Sequence, residues 1–478
     1  METAAKASSN KEAPDEVMVS LYAAAEKIYP RSVSGLFSKW RWLMIWITQI
    51  VFYGIPWLQW GERQAVLFNL EARRFYIFDL VLYPQDLIYL TAILIISALS
   101  LFLFTAVAGR LWCGYTCPQT VYTEIFLWFE KQIEGDRAAR MRLDNAGMCA
   151  EKVAKKTLKH AVWIAFALWT GFTFVGYFTP IRELFHTWIV LQMGPWETFW
   201  VFFYGFATYG NAGFMREQVC KYMCPYARFQ SAMFDKDTLI VTYDEERGEP
   251  RGGRSRKADS KNLGLGSCVD CNLCVQVCPT GIDIRKGLQY ECIGCGACAD
   301  VCDSVMDKVG YERGLIRYST ENALRNHWSR SELLRHILRP RVLIYASILG
   351  LLVALVVGSL AIRTPFRADV VRDRGVMSRI VAGGMLENVY RMQLMNATEA
   401  EQSYRITARG EDGLVLKVPE MESTGSITLA PAESRWVTLY LQIPDGTLGS
   451  GSHQVWFDIE MLGSDKVLNE KSVFLVAR

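Results

Sequence analysis

Eight of the thirteen cysteines fall in two runs of matching spacing, Cys268-x2-Cys271-x2-Cys274-x3-Cys278-Pro279 and Cys292-x2-Cys295-x2-Cys298-x3-Cys302. A cubane 4Fe-4S cluster needs four thiolates around a compact core, and a tight C-x2-C-x2-C loop delivers three of them to one cluster. The fourth comes from the other run. The spacing therefore predicts one cluster on Cys268, Cys271, Cys274 and Cys302, and a second on Cys278, Cys292, Cys295 and Cys298. That crossing ties both loops into one small unit. A zinc ribbon also uses C-x2-C pairs, but it needs four ligands rather than eight in two mirrored triplets.

At 478 residues the chain is long for one domain, and length alone predicts about three. Aromatic residues make 13% of it and concentrate in the first half, among long apolar stretches. Five stretches approach the roughly twenty residues that cross a bilayer as a helix: Trp40–Leu58, Leu87–Val107, Ala161–Thr179, Phe199–Phe214 and Val342–Ile362. The fourth is interrupted by Gly205, Gly210, Asn211 and Gly213. The fifth is bounded by arginines and holds no internal charge. A net charge of only +3 gives no nucleic-acid surface. The first residues are polar, without the short apolar core and cleavage site of a signal peptide, so none is expected.

Lys and Arg in the short connections set the expected orientation. Arg110, Lys131, Arg137, Arg140, Arg142, Lys152, Lys155, Lys156 and Lys159 lie between the second and third stretches, and only Arg182 between the third and fourth. The N-terminal tail is basic too, through Lys27, Arg31, Lys39 and Arg41. The chain is thus expected to start in the cytoplasm, cross five times and end outside. The clusters then fall on the cytoplasmic side, where a reducing environment keeps thiols free.

After the fifth stretch the pattern changes to short alternating runs, NVYRMQLMN, QSYRITARG, GLVLKVP, SRWVTLYLQI, SHQVWFDIEM and KSVFLVAR, separated by turn residues. These predict an antiparallel, immunoglobulin-like β-sandwich. The expected class is therefore multi-domain: a cytoplasmic tail (1–39), a four-span α-helical membrane domain (40–235), a linker and two-cluster ferredoxin-like domain (236–335), a fifth span (336–362) and a β-sandwich outside (363–478). TVYTEIFLWFEKQIEG, from Thr120, reads as an amphipathic helix along the inner membrane surface. ERGEPRGGRSRKADSKN, from Glu246, reads as a flexible linker.

Cys113-Gly-Tyr-Thr-Cys117-Pro118 and Cys220-Lys-Tyr-Met-Cys224-Pro225 repeat one pattern, C-x3-C-P. Residues four apart share a helix face, so each pair could present two sulfurs, and the two pairs could meet as a four-sulfur site. Thiolates favour Cu(I), zinc and iron–sulfur centres. Copper would be the redox-active occupant, zinc the silent one, and a dithiol–disulfide couple needs no metal. Met223 could add a thioether, although packing is the plainer role. Cys149 reads as a bystander. The five histidines are scattered, and no haem motif or glycine-rich dinucleotide fingerprint is present.

With these features in place, the chain resembles the cytochrome c oxidase accessory proteins called CcoG, FixG or RdxA. RLWCGYTCPQTVYTE, CKYMCPYARFQSAMFD and ECIGCGACADVCDSVMDK carry the resemblance, which extends from about Val17 onward. It implies a bacterial inner-membrane polyferredoxin tied to assembly of cbb3-type oxidase through reduction of Cu(II) to Cu(I). Cys113, Cys117, Cys220 and Cys224 then become candidate copper ligands and catalytic residues, and the eight others cluster ligands. The implied partners are membrane lipid, an unidentified cytoplasmic electron donor, a copper chaperone or transporter, and oxidase assembly factors, with an oligomer left open. One departure is Asp303, where proline usually follows the last cysteine; it is expected to alter how that loop turns. The alternatives are a quinol-linked electron-transfer subunit, like the NapH-type membrane ferredoxins, and a redox sensor or assembly scaffold acting through the sandwich.

Overall fold

The computed structural model describes residues 27–254, 264–373, 375 and 378–476. Most of the N-terminal tail and the second half of the expected linker lie outside these residues. Three helices are long and apolar enough to cross a membrane: α2 (Leu87–Ala108), α5 (Ala150–Val175) and α9 (Pro340–Ala361). The other two expected spans fall short of that standard. Lys39, Arg41 and Gln49 dilute α1 (Leu36–Gly54). α6 (Pro195–Gly210) has 16 residues, and its chain continues as a π-helical turn, Asn211–Met215. Two of the three glycines that interrupt the fourth stretch serve packing: a Cβ at Gly205 would meet Leu168, and one at Gly213 would meet the Trp163 ring.

These five helices connect two ends of the molecule. At one end a small sheet, β1 (Val66–Asn69), β2 (Arg74–Ile77) and β3 (Leu80–Leu82), fills the connection from α1 to α2. It packs on the chain leaving α5, where Gln64 Nε2 donates to Gly176 O (2.8 Å) and the Phe68 amide to Tyr177 O (2.7 Å). At the opposite end, α3 (Leu111–Tyr115), α4 (Pro118–Glu134) and α7 (Pro225–Met233) meet the cysteine-rich unit. Inside that unit β4 (Ile240–Tyr243) pairs antiparallel with β5 (Ile316–Ser319) beside α8 (Ala297–Val309).

α4, read from its amphipathic pattern as a helix along the inner membrane surface, packs its buried face on a neighbouring helix. It runs antiparallel along α5 for more than three turns: Tyr122 meets Phe166, Phe126 meets Trp163, Glu130 pairs with Lys159, and Glu134 with Lys156. Its Phe126 is fully buried, and Glu130 and Glu134 nearly so. The amphipathic pattern is kept: Trp128, Lys131 and Gln132 stay exposed, while Phe126, Glu130 and Glu134 are carried into the contact. The supposed linker is likewise structured over its first part. Helix 245–248 is capped by the Asp244 side chain, and the Ser267 amide donates to Arg247 O (2.8 Å).

The C-terminal residues form the expected sandwich of two antiparallel sheets. The strands are β6 (Phe366–Arg372), β7 (Arg379–Val381), β8 (Met385–Asn396), β9 (Gln402–Arg409), β10 (Val415–Lys417), β11 (Ile427–Leu429), β12 (Ser434–Pro444), β13 (Gly451–Met461) and β14 (Val467–Val476). One sheet runs β10-β12-β8-β6, with β7 also on β8; the other runs β11-β9-β13-β14. Alternate residues point inward, and Tyr390, Leu394, Tyr404, Leu439, Phe457 and Phe474 are fully buried between the sheets. The sandwich is docked on the β1–β3 sheet: Leu67, Tyr76, Val81 and Tyr83 share a core with Met395, Ala397 and Ala432. Tyr83 Oη donates to Asn396 O (2.8 Å), and the buried Asp86 carboxylate accepts from Arg363 and Arg367. None of this docking sheet was anticipated, because its strands are only three or four residues long and lack alternation.

Two cysteine cavities and the twin-cysteine site

The two ligand sets expected from spacing line two separate cavities. Cys268, Cys271, Cys274 and Cys302 wall the first, together with Tyr243, Met306 and Leu315. Cys278, Cys292, Cys295 and Cys298 wall the second with Ile282, Ile284 and Ile293, and Cys274 reaches its edge. The crossing is therefore present, with each run sending its last cysteine to the other's cavity. Tight loops make this possible, using the left-handed backbone of Gly294 (φ +66°) and Gly296 (φ +73°). Among the described residues no three His, Cys, Asp or Glu side chains converge on a single-ion point. Thiols that share a cavity without converging suit a polynuclear core, so both sites fit a 4Fe-4S cluster. Burial, then the neighbouring thiols Cys274 and Cys268, push the Cys302 thiol up to about 12. A cationic core reverses this, because metal binding displaces the thiol protons. When bound, each cluster supplies storage for one electron.

The two cavities differ in setting. Cys271 in the first is exposed, whereas Cys295 in the second is buried. Arg285 stands at the first cavity, paired with Asp283 (2.8 Å) and Asp270 (2.6 Å). At Asp303, where a proline was expected and is missing, no turn follows the last cysteine. α8 continues through Cys302 to Val309, and Asp303 Oδ1 accepts from the Gly314 amide (2.8 Å). Between the last two cysteines of the second run, buried Asp300 accepts from the Phe37 (3.1 Å) and Ser38 (2.7 Å) amides, capping α1. A carboxylate there satisfies orphan amides and complements the helix dipole. It also clamps the cysteine-rich unit to the helices.

The twin C-x3-C-P motifs adopt one shared geometry, and it is not the continuous helix face expected. Cys113 lies in α3 and Cys220 in a π-helical turn, Val219–Met223. Cys117 and Cys224 are each the non-helical residue before the next helix, with ψ of 127° and 109°. The prolines cause this: Pro disfavours helical backbone at the preceding residue and is favoured at the first helical position. Each motif thus reads helix, bend, helix.

The structure brings the two motifs together. Cys113 and Cys220 pack on the same core as Ile293, Cys295 and Val301 of the second cavity. Burial pushes the Cys220 thiol up to about 12, with Cys117, Cys113 and Cys224 adding to it. Burial pushes Cys113 up to about 11, opposed by its hydrogen bond with Gln230 (3.4 Å). The four thiols are therefore electrostatic neighbours, although among the described residues no three of them converge on a single-ion point. Met223 is more than half exposed, so it is not the packed residue expected. Cys149 is exposed at the start of α5.

The second cavity presses directly on the first motif. A Cβ at Gly114 would lie 2.8 Å from Ile293 O, 2.9 Å from Gly294 O and 2.9 Å from Cys295 Cα, all backbone atoms. Gly114 O in turn accepts from Nε of buried Arg41 (3.3 Å), whose other end pairs with Glu124 (2.7 Å). Arg110, also buried, lines a crevice with Cys292 and Gly294 and donates to Ala227 O next to the second motif. Its guanidinium faces Cys113, Cys292, Cys220 and Cys224. Sequence reasoning singled out none of Arg110, Gly114, Gln230 or Asp300. Each lies inside one of the three signature stretches, which was the available signal.

Two crossed four-thiol cavities, clamped to a bundle with three membrane-length helices, define a membrane dicluster iron–sulfur protein. Family models agree: a 4Fe-4S dicluster domain matches residues 215–321, a 4Fe-4S binding domain matches 90–134, and the IG-like fold at the C-terminal of FixG matches 356–477. Nitrogen fixation protein FixG of Rhizobium meliloti (strain 1021) is 35% identical, over 95% of this chain and 93% of its own. Proteins RdxA and RdxB of Cereibacter sphaeroides are 38% and 39% identical, over 89% and 91% of this chain and 91% and 92% of theirs. The chain belongs to the FixG family.

Proposed function

We propose that this iron–sulfur electron-transfer protein delivers electrons to a thiophilic substrate at Cys113, Cys117, Cys220 and Cys224, and that the substrate is Cu(II), reduced to Cu(I) for assembly of a cbb3-type oxidase. The observation that carries the reading is the backbone contact between Gly114 and the 293–295 loop, which leaves no space between the second ligand set and the twin motif. The exposed edge at Cys271 is the side open to a soluble electron donor. The balance is one electron per ion, from the donor to Cu(II). Thiols suit the product better than the reactant, because sulfur favours Cu(I), and their protons leave as the ion binds. Cu(I) then departs to a chaperone or transporter.

The arrangement of ends supports a five-span topology in a bacterial inner membrane. The cysteine-rich unit and α1 start on the basic, cytoplasmic side, and the sandwich and β1–β3 on the periplasmic side. Changing all four twin-motif cysteines to serine should abolish Cu(II) reduction and Cu(I) binding while the EPR signals of both clusters persist; undiminished reduction would refute the assignment. A second reading is favoured by the 4Fe-4S model over 90–134, which spans the first motif: the four thiols hold a third cluster. Iron analysis separates the two, with about eight irons per chain in the first case and about twelve in the second.

A further inference from the structure

Beside the foot of α5 lies a cavity of about 520 Å³ that none of the cysteines lines. Lys152, Lys156 and Lys159 project from the first turns of α5, and Arg216 and Phe214 come from the chain after α6. Behind them is a buried ion network. Glu130 accepts from Arg140 (3.1 Å) and Arg216 (3.1 Å) and pairs with Lys159 (3.7 Å). Glu134 takes Lys156 and Lys159, and Asp144 takes Lys27 and Lys156. Among the described residues the lining itself holds five cations, Lys27, Lys152, Lys156, Lys159 and Arg216, against three carboxylates, Glu130, Asp144 and Glu217. Lys152 Nζ donates to the carbonyls of Asp144 (2.8 Å) and Ala146 (2.6 Å) and meets no carboxylate among the described residues.

An excess of two positive charges around a partly enclosed space is costly without an anion, because neither bulk water nor a carboxylate fully compensates it. The other wall is apolar and aromatic. The Trp163 ring lies under both Lys159 (4.7 Å) and Arg216 (5.6 Å), and His160 stacks on Phe214, which is itself largely exposed. The cavity opens where the basic turns of α5 give way to its apolar stretch, the level of lipid headgroups for a spanning helix. Basic pockets between spanning helices are the kind of site that takes lipid phosphates.

We infer that this cavity binds the phosphate headgroup of an anionic glycerophospholipid, with the acyl chains leaving past Phe214. Full-length protein in mild detergent would be tested by native mass spectrometry and thermal unfolding, with phosphatidylglycerol, phosphatidylcholine or inorganic phosphate added. Phosphatidylglycerol should be retained at least several-fold over phosphatidylcholine and should raise the unfolding temperature. The K152Q/K156Q variant should lose that preference. K155Q should keep it, since Lys155 pairs with Glu151 outside the cavity. Because K156Q also breaks network pairs, K152Q alone serves as the milder variant, with a partial loss expected. Equal retention of both lipids, equal protection by inorganic phosphate, or an unaltered preference in K152Q/K156Q would each overturn the inference.

Discussion

Replacing Gly114 by alanine tests the contact on which the electron route depends. In a short helix this exchange should by itself stabilise by about 1 kcal/mol, since glycine is the poorer helix former. Here the new methyl would sit 2.8–2.9 Å from three backbone atoms of residues 293–295. Backbone cannot rotate aside as a side chain can, so the loop must retreat by roughly half an ångström to reach the usual carbon–oxygen contact of about 3.3 Å. Forced overpacking of this kind costs about 1–3 kcal/mol. The net expectation is a loss of up to about 2 kcal/mol, with the second cluster displaced and the first untouched. Denaturant unfolding, EPR of both clusters and the Cu(II) reduction rate together read the outcome. Gly350→Ala is the control, because nothing lies within 4 Å of its Cβ. A G114A protein as stable as G350A, with an unshifted second-cluster signal and an unchanged rate, would show that the loop does not rest on the motif.

Three further outcomes are expected. Cys268→Ser should remove the first cluster and Cys278→Ser the second, each lowering iron from about eight to about four per chain, as metal analysis would show. Arg110→Gln should lower the reduction potential of the second cluster, because a nearby positive charge favours the more negative reduced state. The shift should be on the order of tens of millivolts, with the first cluster unmoved in an EPR redox titration; Arg285→Gln should likewise lower the potential of the first cluster and leave the second unmoved. Asp86→Ala strands Arg363, a buried cation at the sandwich junction. Such a loss costs about 3–5 kcal/mol, so limited proteolysis should release the sandwich far faster than in wild type.

The two groups of cysteines that share a cavity were legible in the sequence because spacing within a short loop is nearly a geometric statement: three cysteines separated by two residues each can reach one core and little else. The sandwich was legible for a similar reason, since alternation over eight to twelve residues specifies two faces. The first and fourth stretches run past the ends of their helices, because a count of apolar residues does not register the break at Ile55–Trp57, with Pro56, or the π-turn after Gly210. The twin motifs were read on an ideal helix, and the rule that proline bends the residue before it was not applied to Cys117 and Cys224.

By itself, then, the sequence determined which cysteines belong together, where the apolar helices run and that the chain ends in a β-sandwich. All of these are properties of local spacing and periodicity. Only the tertiary structure decided that Gly114 lies against Cys295, that Asp300 caps α1, that α4 runs along α5, and that the sandwich rests on a small sheet 300 residues upstream. Apart from α4 on α5, those contacts join residues more than a hundred positions apart. They depend on how whole elements pack, and the proposed route from donor to substrate consists of such contacts.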